Sequence, residues 1–305
     1  MNEHDLQVFL SVFRTLNFTQ SARERHMSVS AVSRSVSRLE GEVGHVLFDR
    51  DRRSIRPTGA AEQLRVTAEG LLRDWNSLKQ SVQPGSQLIG ELRLYCSVTA
   101  TYRLLSPVLE AFRSTFPGVR VLLQTGDQAD GVDRVRQGDA DAAVIACPEV
   151  LPRPLVFRSI TESALRLCLS ESGVKSYGFD KGRERDSTLS MLANVPWILP
   201  ERGVSRQLID AWLARQFNQP VDVYARVAGH EAIAAMVSLG LGVGIIPQLV
   251  VDASGFADSL EVLDLADSIA ALNVGICVRS GRVQDPVVDG LLSVLGGRHH
   301  RDVAR

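Results

Sequence analysis

Residues 28–40 read SVSAVSRSVSRLE, and at helical period Val29, Val32, Val36 and Leu39 fall on one face. The opposite face carries Ser30, Ser33, Arg34, Ser37 and Arg38, with no carboxylate before Glu40. Short hydroxyls bond phosphate oxygens, and a guanidinium fork matches phosphates and the groove edge of guanine. The face therefore suits DNA. A small helical domain with a merely solvated Ser/Arg face is the alternative.

The flanking sequence extends the first reading. Residues 5–16 form an amphipathic pattern with Leu6, Phe9, Leu10, Phe13 and Leu16 on one side. Thr19 is placed to cap a short helix over 20–26, His26-Met27 breaks it, and Ser28 caps the next. Two short helices with the second polar-faced predict a helix-turn-helix. Val46-Leu47-Phe48 and Ser54-Ile55 predict a hairpin with Arg50, Asp51, Arg52 and Arg53 at its tip, a basic wing for the sugar-phosphate backbone. The DNA-facing set is then Thr19, Ser28, Ser30, Ser33, Arg34, Ser37, Arg38, Arg50, Arg52 and Arg53.

Charge supports only a local nucleic-acid surface. The net charge of the 305 residues is −1, yet residues 1–60 hold nine Arg against seven acids. So small a surplus predicts two modules acting together. No apolar run approaches a membrane span and no signal sequence opens the chain, so a soluble cytoplasmic protein is expected. The four cysteines, Cys96, Cys147, Cys168 and Cys277, form no C-x-x-C and no zinc spacing. Free thiols in a reducing compartment are expected, with a redox-sensing thiol as the alternative.

Thr58 caps a predicted helix running to about Val82. Ala61, Leu64, Ala68, Leu71, Trp75, Leu78 and Val82 recur at alternating spacings of three and four. That is a heptad seam, which a second copy of the chain would cover. Leu64, Ala68, Leu71, Trp75 and Leu78 are the predicted dimerisation residues; packing on the helix's own domain is the alternative. Gln83-Pro84-Gly85-Ser86 reads as a hinge.

From Glu91 short apolar strands alternate with helices, which predicts an α/β domain. Strands are expected at 92–98, 119–124 and 141–146, with helices at 102–115 and 132–137. A strand at 165–169 crosses into a second lobe with strands at 197–199, 221–227 and 243–246 and helices at 205–217 and 230–239. A strand at 272–278 returns to the first lobe, and a helix at 285–295 follows. The whole is an α/β multidomain chain with residues 1–58 as DNA-binding domain, 59–90 as linker helix and hinge, and 91–305 as the two-lobed domain. Its first lobe is about 91–163 and 269–305, its second about 164–268.

Polar residues gather where these strands end. Ser97, Thr99, Ala100 and Thr101 follow the first strand, and Thr125, Gly126 and Asp127 the second. Gly203 and Ser205, then His230 and Glu231, follow strands of the second lobe. Several strand-to-helix turns aiming N–H groups at one crevice suit a small anion. Each hydroxyl alone also fits a helix cap, and His230 alone fits a core imidazole. No nucleophile elbow, P-loop or H-E-x-x-H is present, and the glycines at 240, 242 and 244 lead from a helix into a strand, the wrong context for a dinucleotide. Neither an enzyme nor a metal site is expected. A solute-binding or enzymatic role for this half would leave the Ser/Arg helix and the seam unexplained.

The stretches F-T-Q-S-A (18–22), S-V-S-A-V-S-R-S-V-S-R-L-E (28–40), L-F-D-R (47–50) and P-T-G-A (57–60) resemble the LysR-type transcriptional regulators. The resemblance covers the chain and implies a winged helix-turn-helix, a long dimerisation helix and a two-lobed, periplasmic-binding-protein-like effector domain. It carries the recognition-helix S-R onto Ser33 and Arg34, and effector positions onto Ser97, Thr99 and Thr125. Gly90-Glu91-Leu92, residues 96–100 and 125–127, and Gly229-His230-Glu231-Ala232 are similar to those members that activate the ketol-acid reductoisomerase gene. This implies control of isoleucine and valine synthesis, with acetolactate or acetohydroxybutyrate as the small carboxylate inducer and no cofactor. The implied partners are promoter double-stranded DNA, RNA polymerase and further copies of the chain, as dimer and then tetramer. Sensing of another small carboxylate is the alternative.

Overall fold

The computed structural model describes residues 2–51, 54–81, 88–179, 185–253, 255, 257–263 and 269–302. Its contacts divide the chain into two compact units, Met1–Ser86 and Gln87–Arg305.

In the first unit α1 (Glu3–Thr15), α2 (Phe18–Glu24) and α3 (Val29–Val43) precede a hairpin of β1 (Phe48–Asp51) and β2 (Ser54–Pro57). The long α4 (Gly59–Ser81) follows. Asn2 caps α1 through Asp5 N–H, and Ser28 caps α3 through Ala31 N–H. Asn17, not Thr19, caps α2: its side chain accepts from Gln20 N–H at 3.0 Å, two residues earlier than expected. Thr19 is an exposed residue inside the helix.

Val32, Val36 and Leu39 of α3 are fully buried against Phe9, Val12, Leu47 and Phe48. Burying each such side chain contributes on the order of 1.5–3 kcal/mol. Val29 departs from the expected stripe: at the first helical position it lies beyond the reach of this core and stays 44% exposed. Phe48 pairs with Pro57 and Asp51 with Ser54, so Arg50 and Asp51 are strand residues instead of tip residues. Arg52 and Arg53 lie outside the described residues.

Thr58 caps α4 as expected, accepting from Ala61 N–H. The seam, however, divides. Ala61 and Ala68 are fully buried in the unit's own core, and Leu64 packs against it. Ala68 is therefore a core residue of one chain, because the short helices leave a groove that the start of α4 fills, while Leu64 is half-buried at the edge of that core. Leu71 and Trp75 remain 43% and 47% exposed. Val82, residues 83–86 and the side chain of Leu78 lie outside the described residues.

The second unit holds two five-stranded sheets. It runs through β3 (Gly90–Cys96), α5 (Val98–Ala100), a π turn (Thr101–Leu105), α6 (Ser106–Thr115), β4 (Val119–Thr125), α7 (Gly131–Gln137) and β5 (Ala142–Ala146). Then come β6 (Leu155–Ser163), β7 (Leu165–Ser170), α8 (Glu171–Ser176), α9 (Arg185–Leu192), β8 (Trp197–Pro200) and α10 (Gly203–Gln216). The chain ends with β9 (Val223–Val227), α11 (His230–Ser238), β10 (Val243–Pro247), α12 (Gln248–Ala253), β11 (Leu260–Leu263), β12 (Leu272–Arg279) and α13 (Pro286–Asp302).

The first sheet has the order β4-β3-β5-β12-β6 and the second β11-β7-β10-β8-β9. In the first, β3 is parallel to β4 and β5, while β12 is antiparallel to β5 and β6. In the second, β8 is parallel to β9 and β10. Every residue of β5 and β8 is buried, as central strands covered on both faces require. The chain crosses between sheets at Ala164 and returns through β12, so each lobe's parallel strands open their carboxyl ends onto the cleft. Strand β6 was not anticipated. Val98 belongs to the helical segment after β3, since Ser97 caps that segment through Ala100 N–H.

Candidate functional site

On α3, Ser28, Ser30, Arg34, Ser37 and Arg38 are exposed and Ser33 is half-buried. The two arginines differ. Arg38 reaches back to the buried Asp5, its Nε 2.8 Å from Oδ2. The hydrogen bond from Arg38 lowers the Asp5 carboxyl against the cost of its burial. Arg38 is thus partly committed to holding α1 on α3. Among the described residues Arg34 forms no ion pair, and its guanidinium is available to an external acceptor.

In the second unit, polar contacts among the described residues span the cleft. Thr99 N–H donates to Glu231 Oε1 at 2.9 Å. Arg202 lies 2.7 Å from Asp130 and 3.6 Å from Asp127. Gln128 Nε2 meets His230 Nδ1 at 3.4 Å, and Arg103 pairs with Asp252 at 3.5 Å. Beneath them is a cavity of about 140 Å³, lined by Asp127, Gln128, Arg202, Gly203, Gly229 and His230 among others. Pockets for drug-sized ligands run to roughly 300–1,000 Å³, so this one suits a compact acid.

The cavity's second-lobe wall is made of helix starts. Helices α10 and α11 begin there; Arg202 at the α10 cap makes no side-chain cap bond, whereas the Glu231 carboxylate lies at the first turn of α11. Their N–H groups and dipoles favour an anion. Gly203 has φ +87°, and a Cβ there would stand 2.9 Å from the Ala129 Cβ, so the turn into α10 calls for glycine. His230 is 7% exposed, and burial holds its imidazole below the ordinary value against the opposing charges of Glu231 and Asp127. With Gln128 donating to Nδ1, the neutral ring carries its proton on Nε2, which has no hydrogen-bond partner among the described residues. Ser205 Oγ, buried in the first turn of α10, also has none.

Of the residues expected at the effector site, Asp127, Gly203 and His230 line the cavity. Ser97, Thr99, Ala100, Thr101, Thr125, Gly126, Ser205 and Glu231 do not. Ser97 is a helix cap, and Thr101 Oγ1 donates to the Ser97 carbonyl. Ala100 is buried in the core. Thr125 is exposed at the end of β4, and Gly126 N–H bonds the Cys96 carbonyl. Arg202 and Gln128 were missed. A lone arginine before a glycine carries no periodic signal, and its acidic partners lie more than 70 residues away in sequence.

Burial disfavours the thiolate at all four cysteines. Burial raises Cys96 and Cys147, and pushes Cys168 and Cys277 up to about 12. Nucleophilic and redox-sensing cysteines need the opposite shift.

Residues 4–70 match the bacterial regulatory helix-turn-helix protein, lysR family, and residues 85–299 the LysR substrate binding domain. The HTH-type transcriptional activator IlvY of Salmonella typhimurium is 34% identical over 298 residues, covering 97% of this chain and 99% of that protein. ArgP from Mycobacterium tuberculosis superposes with a TM-score of 0.71 at 19% identity, covering 95% of this chain and 94% of its own. Full-length CbnR, solved with its target DNA, superposes with a TM-score of 0.65 at 19% identity, covering 97% and 99%. The relatives at this level of similarity carry the names of regulators, not of enzymes.

Proposed function

This chain belongs to the LysR family of transcriptional regulators, and on that premise we propose that it activates the ketol-acid reductoisomerase gene of isoleucine and valine synthesis on binding acetolactate or acetohydroxybutyrate. Whole-length similarity to IlvY supports the target gene. The observation that carries the inducer class is the small cavity with the uncapped start of α10 and, among the described residues, a buried, unpartnered His230 Nε2. A compact hydroxy-keto acid supplies one carboxylate for those donors and hydroxyl or carbonyl oxygens for Gln128 and Arg202.

In this reading the protein works in the cytoplasm as a dimer that pairs into a tetramer. Leu71 and Trp75 extend the chain-to-chain seam beyond the intrachain part of α4. Arg34 reads a base edge in promoter DNA, with Ser30, Ser33, Ser37 and the hairpin arginines on the backbone. Inducer binds the closed and open lobes with different affinities, and that difference shifts the arrangement of the paired DNA-binding units so that RNA polymerase gains the promoter.

Titration calorimetry of the full chain with acetolactate, against pyruvate and 2-oxoisovalerate, tests the assignment. Selective binding of acetolactate is expected. Tighter binding of either control would move the inducer to another small acid and remove the link to this gene.

A further inference from the structure

Glu231 occupies a position that a ligand carboxylate would be expected to take. It stands in the first turn of α11 in the second lobe, and its Oε1 crosses the cleft to accept Thr99 N–H at 2.9 Å. Thr99 follows β3, in the turn that opens the helical segment of the first lobe. Burial raises the Glu231 carboxyl, but hydrogen bonds from the Thr99 backbone and hydroxyl outweigh it and keep the group ionised. The first-lobe anion seat is therefore filled by the protein itself. Asp127 places a negative charge on the cavity wall itself, only partly offset by Arg202 at 3.6 Å. The second-lobe side differs at α10, whose start carries no side-chain cap bond from Arg202, and among the described residues His230 Nε2 and Ser205 Oγ are buried without partners.

We propose that Glu231 is a resident carboxylate that latches the lobes and sets ligand specificity. The cleft then has one open anion-accepting pole, at the start of α10 beside His230, and takes compact monocarboxylates while refusing dicarboxylates. A second ligand carboxylate would have to lie on the side of Asp127, where Arg202 is already paired with Asp127 and Asp130 and offsets little of the like-charge repulsion in a poorly solvated cavity. The inference rests on the small-acid reading of the cleft given above.

Two matched pairs of acids test it on the full-length protein by calorimetry. Citramalate replaces the acetyl group of acetolactate with a carboxymethyl group. 2-Oxoglutarate and 2-oxoisovalerate are both five-carbon 2-oxo acids. Each monocarboxylate should bind at least tenfold more tightly than its dicarboxylate partner. Glu231→Gln should shrink that ratio at least fivefold, mainly by admitting the dicarboxylate. Equal binding of the two acids by the unsubstituted protein, or an unchanged ratio in the variant, overturns the specificity claim. Binding of neither acetolactate nor citramalate by either protein overturns the small-acid reading itself, together with the specificity built on it.

The latch has its own readout, independent of any ligand. Hydrogen exchange in a peptide spanning residues 97–105 should accelerate at least tenfold in Glu231→Ala. Glu231→Gln, which keeps an acceptor for Thr99 N–H, should retain most of the protection. Unchanged exchange in Glu231→Ala overturns the latch.

Discussion

His230 combines three properties that seldom coincide on one side chain: it is buried, it lines the cavity, and one ring nitrogen is unpartnered. Burial lowers its folded pKa below the ordinary value of about 6.5. On acidification the unfolded chain therefore takes up the proton first. The stability contributed by the neutral ring is complete above about pH 6.5 and is lost as pH falls toward the folded value. The thermal midpoint of the effector unit should fall with pH in that window, and His230→Asn should flatten the fall. Superimposable profiles would show that His230 does not titrate in folding. Asp141 presents the reverse case. It is 1% exposed, and despite the cost of burial its carboxyl is lowered by Arg93, which bonds it through both backbone and side chain. Arg93→Met leaves a buried charge uncompensated and should destabilise the effector unit by about 3–5 kcal/mol in denaturant titration. A loss under 1 kcal/mol would mean that Arg282, 3.7 Å from Asp141, is a sufficient partner.

Among the elements, α3 and α4 divide their residues between folding and recognition. Arg34 is the arginine of α3 without an internal ion pair, whereas Arg38 is tied to Asp5. Arg34→Ala should weaken specific operator binding by ~1–3 kcal/mol while leaving nonspecific DNA nearly unchanged. Equal losses on both DNAs would make it a phosphate contact. On α4 the split falls along the helix. Trp75→Ala, at an exposed position, should raise the dimer dissociation constant at least tenfold in sedimentation, and an unchanged constant would place the interface elsewhere.

The legibility of these elements follows the same division. The buried trio Val32, Val36 and Leu39 is readable because a 3.6-residue period marks one core. The identity of the α2 cap is not, because the run N-F-T-Q offers Asn17 and Thr19 as equivalent acceptors. Strand β6 escaped because Arg158, Ser159, Thr161 and Glu162 dilute its apolar residues on a sheet edge. The polar turns after the strands announced a cleft, and Asp127, Gly203 and His230 do line it. Thr99 and Glu231 were also in view, but their bond to each other was not. It joins residues 132 apart in sequence, and only the docking of one lobe on the other brings them together.

At the scale of the whole molecule, the two units have separate cores. Leu39 and Phe9 anchor one, and Phe112, Trp197 and Trp212 belong to the other. Leu39→Ala should destabilise the DNA-binding unit by about 2–5 kcal/mol and leave effector affinity unchanged. Altered effector affinity in that variant would show that the units are coupled through more than their tether. Strand β12 has a further consequence, in the order of synthesis. It lies between β5 and β6 and supplies the only strand partner of β6 among the described residues. The five strands of the second sheet all leave the ribosome before Leu272, whereas the first sheet lacks an interior member until then. At elongation rates of roughly 5–20 residues per second, the part of the effector domain begun first is thus completed last. A premature stop codon shortly before position 272 would spare every strand of the second lobe and leave the first lobe, more than a hundred residues upstream, with a strand-wide gap.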